Sequence, residues 1–464
     1  MTAGLRPLLL CNKLIMDGFR SFYLISLGCP KNLVDSEGMA TLLRQAGYGP
    51  ATDPEAADFL IVNTCGFIES ARLEARTVLG ELARKKEPRQ RIIAAGCYSQ
   101  RCPGQLAELV PGIDGLIGTR QWMDILDLVE QVGAQRDRRQ PSDPVVHVSR
   151  GERYGRDPTG VVRGAIQGGS AYLKLADGCS RSCAFCAIPI IKGPTVSRPP
   201  AAVLADARRL DEIGVQEIIL IAQDTTGYGR DRGIEHGLAE LLDDLVVTIP
   251  QVPWIRLMYG YPSHAGLSDR LVETMASHPQ ILPYVDLPLQ HAHPDVLRRM
   301  RRPANVDYVR GAIGRLREAM PEIAIRTTFI VGYPDETEEE FRTLLHFVKE
   351  NRFDRVGVFT YSHEEGTAAA ALSDNVPREV KEDRRQRLMA AQQPISLENN
   401  RALAGKVLDV LIEGEGEGVS VGRSYRDAPE VDGLVLVETK LPIGQIVPVR
   451  ITAALEYDLV GVPS

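Results

Sequence analysis

A repeated unit of one apolar strand followed by one amphipathic helix dominates residues 165–395, and it constrains the fold more than any other feature. The six candidate strands are Ala171–Leu175, Glu217–Ala222, Trp254–Met258, Tyr284–Leu289, Ala324–Val331 and Val356–Thr360. Helical patterns such as Ala202–Ile213 and Glu338–Glu350 follow most of them, which predicts a parallel sheet covered by helices. Because a complete eight-unit barrel needs about 250 residues and two more strands, the segment predicts a partial (βα)6 barrel.

An open parallel α/β sheet is predicted before the barrel, over residues 20–135. Short apolar runs alternate there with amphipathic segments such as Ile68–Lys85. The apolar runs are Phe22–Leu27, Phe59–Val62 and Arg91–Ala95. Residues 136–164 are rich in Arg, Gln, Pro, Asp and Gly, so we interpret them as a linker.

A small all-β barrel is predicted after the central segment, over residues 397–464. Alternating β-branched runs are separated there by Gly, Asp and Pro. These runs are Lys406–Ile412, Leu434–Glu438 and Ile446–Ile451. The whole chain is therefore predicted to be an α/β protein with three domains.

The charge and hydropathy of the chain exclude some classes of function. The net charge of −7 argues against a chain built mainly to hold nucleic acid. No run of about 18 apolar residues predicts a membrane span. The apolar patch Leu8–Leu10 is shorter than the core of a signal peptide. A cytoplasmic location is the expectation.

Three of the eight cysteines lie within eight residues, at Cys179, Cys183 and Cys186. Three close thiolates can hold three irons of a 4Fe–4S cluster and leave the fourth iron open to a chelating ligand. The alternative is a structural zinc site, but such sites normally need four ligands, and no fourth Cys or His follows nearby. The cysteines follow the first barrel strand, at the end of the barrel where chemistry takes place.

A second set of cysteines is predicted from strand positions. Cys29, Cys65 and Cys97 each follow one strand of the N-terminal sheet, and the carboxyl ends of parallel strands share one edge. Each has a glycine beside it, which would let a bulky cofactor approach the backbone. Three buried structural cysteines are the alternative, but three matched positions favour a second cluster with an open iron. Cys11 and Cys102 have no such placement and are expected to be spectators.

The two cysteine sets together resemble those of the methylthiotransferase family of radical S-adenosylmethionine (SAM) enzymes. The resemblance covers the chain from about residue 20 and implies a C-terminal TRAM domain. The strings Leu27-Gly-Cys-Pro-Lys-Asn-Leu-Val-Asp-Ser-Glu37 and Pro288-Leu-Gln-His291 resemble the branch that modifies a ribosomal protein. The tRNA-modifying branch usually has Gln and Met where Pro30 and Lys31 stand. Asp335 stands where a glycine is common in the family.

This resemblance implies a reaction and its cofactors. The cluster on Cys179, Cys183 and Cys186 would cleave SAM to a 5′-deoxyadenosyl radical, and the cluster on the other three cysteines would supply sulfur, methylated by a second SAM. The product would be a β-methylthio-aspartate in protein twelve of the small ribosomal subunit. An electron donor and a sulfur source are implied partners. The candidate residues of the SAM pocket are Phe185, Gln223, Asp224, Arg326 and Gly332.

The charge of residues 397–464 offers an independent test of the partner. This segment has 6 Lys and Arg against 11 Asp and Glu, a balance of −5. An acidic barrel repels phosphates and suits a basic ribosomal protein, so we expect it to take part in docking the substrate. A solvated acidic surface without a partner is the alternative. Two other functions stay open: a tRNA methylthiotransferase acting on a modified adenosine beside the anticodon, and a non-catalytic metal-cluster binding protein.

Overall fold

The computed structural model describes residues 21–135, 143–149 and 160–464. Cys11 lies outside these residues. The described chain begins with a parallel six-stranded sheet in the order β2-β1-β3-β4-β5-β6. The strands are β1 (Ser21–Ser26), β2 (Gly49–Pro50), β3 (Phe59–Thr64), β4 (Arg91–Gly96), β5 (Gly115–Gly118) and β6 (Val145–His147). The helices are α1 (Pro30–Gln45), α2 (Glu69–Lys85), α3 (Cys97–Arg101), α4 (Pro103–Leu109) and α5 (Ile125–Ala134).

The open parallel sheet predicted for the N-terminal domain is confirmed. Strand β3 is buried along its whole length, because helices cover both faces of the sheet. Within 136–164, interpreted as a linker, β6 pairs with β5 and extends the sheet. A three-residue edge strand leaves too short an apolar run to be visible in the sequence.

The central domain is a partial barrel of six parallel strands, as predicted. The strands of this domain, in chain order, are β7 (Gly164–Gln167), β8 (Ser170–Lys174), β9 (Ala176–Asp177), β10 (Val196–Ser197), β11 (Glu217–Ile221), β12 (Trp254–Leu257), β13 (Tyr284–Asp286), β14 (Ala324–Val331) and β15 (Arg355–Thr360). Of these, β7, β9 and β10 are additional to the six barrel strands. Strands β8, β11 and β12 form one parallel ladder, and β13, β14 and β15 form another. A bridge between Ile255 and Ile281 joins the two ladders, while β7 adds an antiparallel edge to β8.

Eight helices complete the central domain and lead out of it. They are α6 (Ile188–Lys192), α7 (Pro200–Ile213), α8 (Gly237–Thr248), α9 (Asp269–Ser277), α10 (Pro294–Arg299), α11 (Val306–Ala319), α12 (Glu338–Asn351) and α13 (Arg378–Arg401). Helix α12 starts at a capping box, in which Thr337 and Glu340 satisfy each other's backbone N–H groups. The helices pack their apolar faces on the barrel strands and form the largest core of the protein.

The C-terminal segment is a closed five-stranded barrel in the order β16-β17-β18-β20-β19. Its strands are β16 (Val407–Glu415), β17 (Ser420–Ser424), β18 (Val435–Val437), β19 (Ile446–Ala454) and β20 (Leu459–Pro463). The small all-β barrel predicted for residues 397–464 is therefore confirmed. Helix α13 runs across the predicted boundary at 395–397, and the domain limits stay a prediction.

The two small domains lie at opposite ends of the central barrel. Arg423 of β17 reaches Glu217, the first residue of β11, so the C-terminal barrel covers the amino ends of the parallel strands. Asp35 of α1 reaches Lys174, the last residue of β8, so the N-terminal domain covers the carboxyl ends. No helix in the described part of the chain is long and apolar enough to cross a membrane.

Candidate active site

The first cysteine set lies at one edge of the N-terminal sheet. Cys29 follows β1 and precedes α1, Cys65 follows β3, and Cys97 follows β4 and begins α3. Strands β1, β3 and β4 are neighbours in the sheet, so their carboxyl ends bring the three thiols to one place. The structure confirms this predicted convergence.

Glycines beside these cysteines allow the three loops to approach one another. A Cβ on Gly28, whose φ is +94°, would lie 2.8 Å from the Cβ of Cys65, and a Cβ on Gly66 would lie 2.7 Å from the carbonyl of Cys97. Asn32 then ties the loops together, because its amide donates hydrogen bonds to the carbonyls of Leu27 and Thr64. The glycines thus make room for neighbouring protein atoms, in addition to any cofactor.

The second cysteine set is held by a tight loop above β8. Gly178 has a φ of +70°, and a Cβ there would lie 2.0 Å from the carbonyl oxygen of Pro194, so only glycine fits. The amide of Cys179 donates to the carbonyl of Gly193 at 3.0 Å, and the amide of Cys186 donates to Cys183 at 3.1 Å. These bonds fix the backbone from which the three thiols project.

Both cysteine sets line one cavity of about 330 Å³ between the N-terminal domain and the barrel. We call this cavity the chamber. The cysteines that line it are Cys29, Cys65, Cys97, Cys179, Cys183 and Cys186. Cys102, the one other cysteine in the described residues, packs partly in the core of the N-terminal domain instead. The chamber therefore presents two groups of three soft ligands.

The thiols of the chamber are suited to bind cations. Burial raises the pKa of Cys65 and Cys186 to about 12 and that of Cys179 to about 11. Burial also raises the pKa of Cys97. Burial acts in the same direction on Cys29, but the ammonium groups of Lys31 and Lys192, together with the backbone N–H groups of Asn32 and Lys31, outweigh it and lower the pKa of that thiol. Buried thiolates are favoured when a metal ion supplies positive charge, so this donor set fits iron–sulfur clusters.

Basic and aromatic side chains complete the lining of the chamber, and they were not predicted from the sequence. Arg302 stacks on the ring of Tyr261, with its guanidinium carbon 4.3 Å from the ring centroid, and donates to the Cys183 sulfur at 3.6 Å. Lys31 lies over the ring of Tyr259. No local pattern predicts these positions. Only the proximity of Lys31 to Cys29 in the sequence could have indicated one of them.

Three of the five predicted SAM-pocket residues line the chamber: Phe185, Gln223 and Asp224. The carboxylate of Asp224 accepts a hydrogen bond at 2.7 Å from Arg181, which also lines the chamber. Arg326 and Gly332 are not among the chamber's lining residues.

Arg326 and Gly332 make their contacts elsewhere in the barrel. Arg326 pairs with Asp286 at 2.8 Å and with Asp432 of the C-terminal barrel at 3.3 Å, so its guanidinium lies toward the amino ends of the strands. Gly332 does follow the end of β14, but it packs against Lys381 of α13, where a Cβ would lie 2.2 Å from that side chain. Neither residue is therefore placed to touch a ligand in the chamber.

Comparison with known proteins agrees with this architecture. Residues 21–118 match the uncharacterized protein family UPF0004, residues 173–348 match the radical SAM superfamily, and residues 404–463 match the TRAM domain. A ribosomal protein uS12 methylthiotransferase RimO from Chloroflexus aurantiacus is 49% identical, over 95% of this chain and 99% of its own. The protein of the same name from a Roseiflexus species is 48% identical, over 95% and 96% of the two chains. The chain belongs to the RimO family.

Membership of the RimO family makes the chain a sulfur-inserting radical SAM methylthiotransferase, which uses SAM and two 4Fe–4S clusters. The prediction from the two cysteine sets is confirmed at this level, and the tRNA-modifying and non-catalytic alternatives are not supported. A solved structure with the same overall fold is the radical SAM methyltransferase TsrM from Kitasatospora setae. It has a TM-score of 0.54 and 15% identity, and covers 86% of this chain and 82% of its own.

Proposed function

We propose that this protein attaches a methylthio group to the β-carbon of an aspartate in protein twelve of the small ribosomal subunit, uS12. Its relatives, which are named ribosomal protein uS12 methylthiotransferases, support this substrate. We assign Cys29, Cys65 and Cys97 to one 4Fe–4S cluster, and Cys179, Cys183 and Cys186 to the cluster that binds SAM. The observation that carries the proposal is that both sets of thiols line the same chamber. A cytoplasmic location suits a ribosomal substrate.

When bound, the cofactors supply the radical and the sulfur that an unactivated C–H bond requires. The residues of this chain do the remaining work. The N-terminal domain and the carboxyl ends of the barrel strands line the chamber together. Asp224 fixes the guanidinium of Arg181, and Phe185 offers an apolar surface in the same chamber, so these residues are suited to orient SAM. The two cysteine sets would hold the two clusters in the same chamber.

Two cysteine variants test the division of roles. Cys183→Ala should abolish SAM cleavage and product. Cys65→Ala should retain SAM cleavage but yield no methylthio product. The reconstituted enzyme would be offered uS12 in one reaction and unmodified tRNA in another. Mass spectrometry would then detect replacement of one hydrogen by a methylthio group. Methylthiolation of uS12 by the Cys65 variant would contradict the assignment of the first cluster.

We also propose that the acidic surface of the C-terminal barrel attracts the basic substrate protein. Arg423 and Arg426 are buried and paired with carboxylates, so they add nothing to the outer surface. The exposed charged residues of this domain are Glu398, Asp409, Glu415, Glu417, Glu430 and Glu438, against Arg401, Lys406, Lys440 and Arg450. Since this domain covers the amino ends of the barrel strands, the attraction would act far from the target aspartate.

Charge reversal tests this attraction. Replacing both Glu415 and Glu417 by Lys should raise KM for uS12 at low salt and leave kcat unchanged, because these residues lie outside the chamber. The effect should disappear at high salt, where exposed charges are screened. An unchanged KM at low salt would refute a docking role for this surface.

A further inference from the structure

Lys31 is a buried cation that forms no ion pair with a carboxylate in the part of the chain that the structure describes, although the Cys29 thiol and Asp286 act on it electrostatically. It is the second residue of α1, it is 4% exposed, and it lines the chamber. Its ammonium lies 2.8 Å from the centroid of the Tyr259 ring. No hydrogen bond or ion pair joins the ammonium to another described residue. A buried charge of this kind is unfavourable unless a ligand or another charge compensates for it.

Two other cations of the chamber are paired with carboxylates, and a third, Arg302, donates to the Cys183 sulfur and to the carbonyl of Pro288. Arg181 is bound to Asp224 at 2.7 Å. Lys192 is 3.5 Å from a carboxylate oxygen of Asp35 and donates to the hydroxyl of Thr119 at 2.9 Å. The nearby Asp286 is engaged by Arg326 and by the amide of Tyr259. Lys31 therefore differs from Arg181 and Lys192 in having its charge available within the chamber.

The ring beneath Lys31 is held in an unusual backbone conformation. Tyr259 has a φ of +63°, in the left-handed region that residues other than glycine rarely adopt. Its amide is fixed by Asp286, and its ring is turned into the chamber. Such strain persists where the surrounding structure imposes it, and it is concentrated at functional sites. The ring limits the ammonium to one side of the chamber.

We propose that Lys31 binds the carboxylate of the target aspartate and so orients its β-carbon between the two cysteine sets. This inference rests on the proposed function. The β-carbon of an aspartate is bonded directly to its carboxylate carbon, so a cation that fixes the carboxylate also fixes the reacting C–H bond. An ammonium in the chamber is complementary in charge to this group. The competing explanation is that Lys31 only balances the negative charge of the cluster on Cys29, Cys65 and Cys97.

The test compares two substrates with two enzymes. Isolated uS12 carrying either aspartate or asparagine at the target position would be titrated into wild-type holoenzyme and into the Lys31→Met variant. Wild type should bind the aspartate form about 10- to 100-fold more tightly, as expected for a hydrogen bond to a buried charge. Lys31→Met should lower this preference to about 2-fold or less and leave the affinity for the asparagine form unchanged.

Lys192→Met is the matched control, because it removes a second buried ammonium from the same chamber. It should change the environment of the first cluster but keep the preference for aspartate. Iron content and the visible spectrum of each variant would show whether the clusters are retained. Lys31→Arg should keep part of the preference, because it keeps the charge.

Three results would overturn the inference. One is a Lys31→Met variant that keeps the aspartate preference, whether or not its iron content falls. Another is an equal loss of preference in Lys192→Met. The third is a wild-type enzyme that methylthiolates uS12 but binds both substrate forms equally. If wild-type enzyme neither binds nor modifies uS12, the proposed function fails and this inference fails with it.

Discussion

Glu217 is one of the buried carboxylates that join the C-terminal barrel to the central barrel. It is fully buried, and its two oxygens accept hydrogen bonds at 2.6 Å from Arg256 of β12 and from Arg423 of β17. The hydroxyl of Ser170 donates to it at 2.8 Å. Replacing Glu217 by Gln would keep the shape of the side chain and remove its charge. Arg256 would then lose its carboxylate partner.

The size of the effect follows from the pKa of Glu217. Burial alone would raise it, but Arg256 and Arg423 outweigh burial and lower the pKa from 4.5 to about 2. A difference of about 2.5 between folded and unfolded states corresponds to about 3 kcal/mol of stability at neutral pH. Since the folded pKa is the lower one, this contribution is present above pH 4.5 and is lost as the pH falls toward 2.

Hydrogen exchange measures this loss locally, without treating three domains as one folding unit. Backbone amides of β17 should exchange about 100-fold faster in Glu217→Gln than in wild type at neutral pH. The difference between the two proteins should shrink as the pH is lowered from 4.5 toward 2. Glu398→Gln is the control, because it breaks an exposed pair with Arg352 at 2.6 Å, and such pairs contribute at most about 1 kcal/mol. Equal exchange in the two variants would refute the reasoning.

Three further substitutions test other parts of the structure. Glu364→Gln should speed exchange at the start of α2 by about 10-fold or more, because the carboxylate joins Arg72 and Arg101 of the N-terminal domain to the loop after β15. Replacing the exposed neighbour Glu365 by Gln should leave this exchange rate unchanged. Gly28→Ala should lower iron bound by the first cysteine set, since its Cβ would overlap Cys65, and full iron content would contradict this. Asp335→Val should lower the free energy of unfolding by about 1–2 kcal/mol and Asp335→Gly should not, because the φ of this residue is +62°. Thermal unfolding would distinguish the two variants, and equal melting temperatures would contradict backbone strain at position 335.

The convergence of the cysteines could be predicted because it depends on a general property of parallel sheets. Cys29, Cys65 and Cys97 follow strands in the sequence, and parallel strands end at a common edge whatever their order. Arg326 was predicted at the rim formed by the carboxyl ends of the barrel strands, but β14 is eight residues long and Arg326 is only its third. At about 3.3 Å per residue, its Cα lies about 16 Å from the end of the strand. The predicted strand has the same bounds as β14, so the position of Arg326 near the amino end could have been read from the sequence.

The rest of the chamber could not be predicted, because it depends on how the domains pack. Tyr259 and Arg302 come from different loops of the barrel, and no spacing in the sequence relates them to Lys31. The backbone conformation at Asp335 could be predicted better from the sequence. It stands where a glycine is common in the family, and its positive φ explains that glycine.

Buried charges join the central barrel to the domains at both of its ends, and their placement explains how the chamber keeps its geometry. At the carboxyl ends, Asp35 of α1 binds Lys174 at 2.6 Å and Arg163 at 3.4 Å. Apolar contacts alone would allow the N-terminal domain to slide on the barrel, whereas a buried ion pair is satisfied in one register only. A slide of about 1 Å would already separate a bound substrate from one of the two cysteine sets. We therefore expect Asp35→Asn to reduce methylthiolation more than SAM cleavage, because SAM cleavage needs only the barrel's own cysteines.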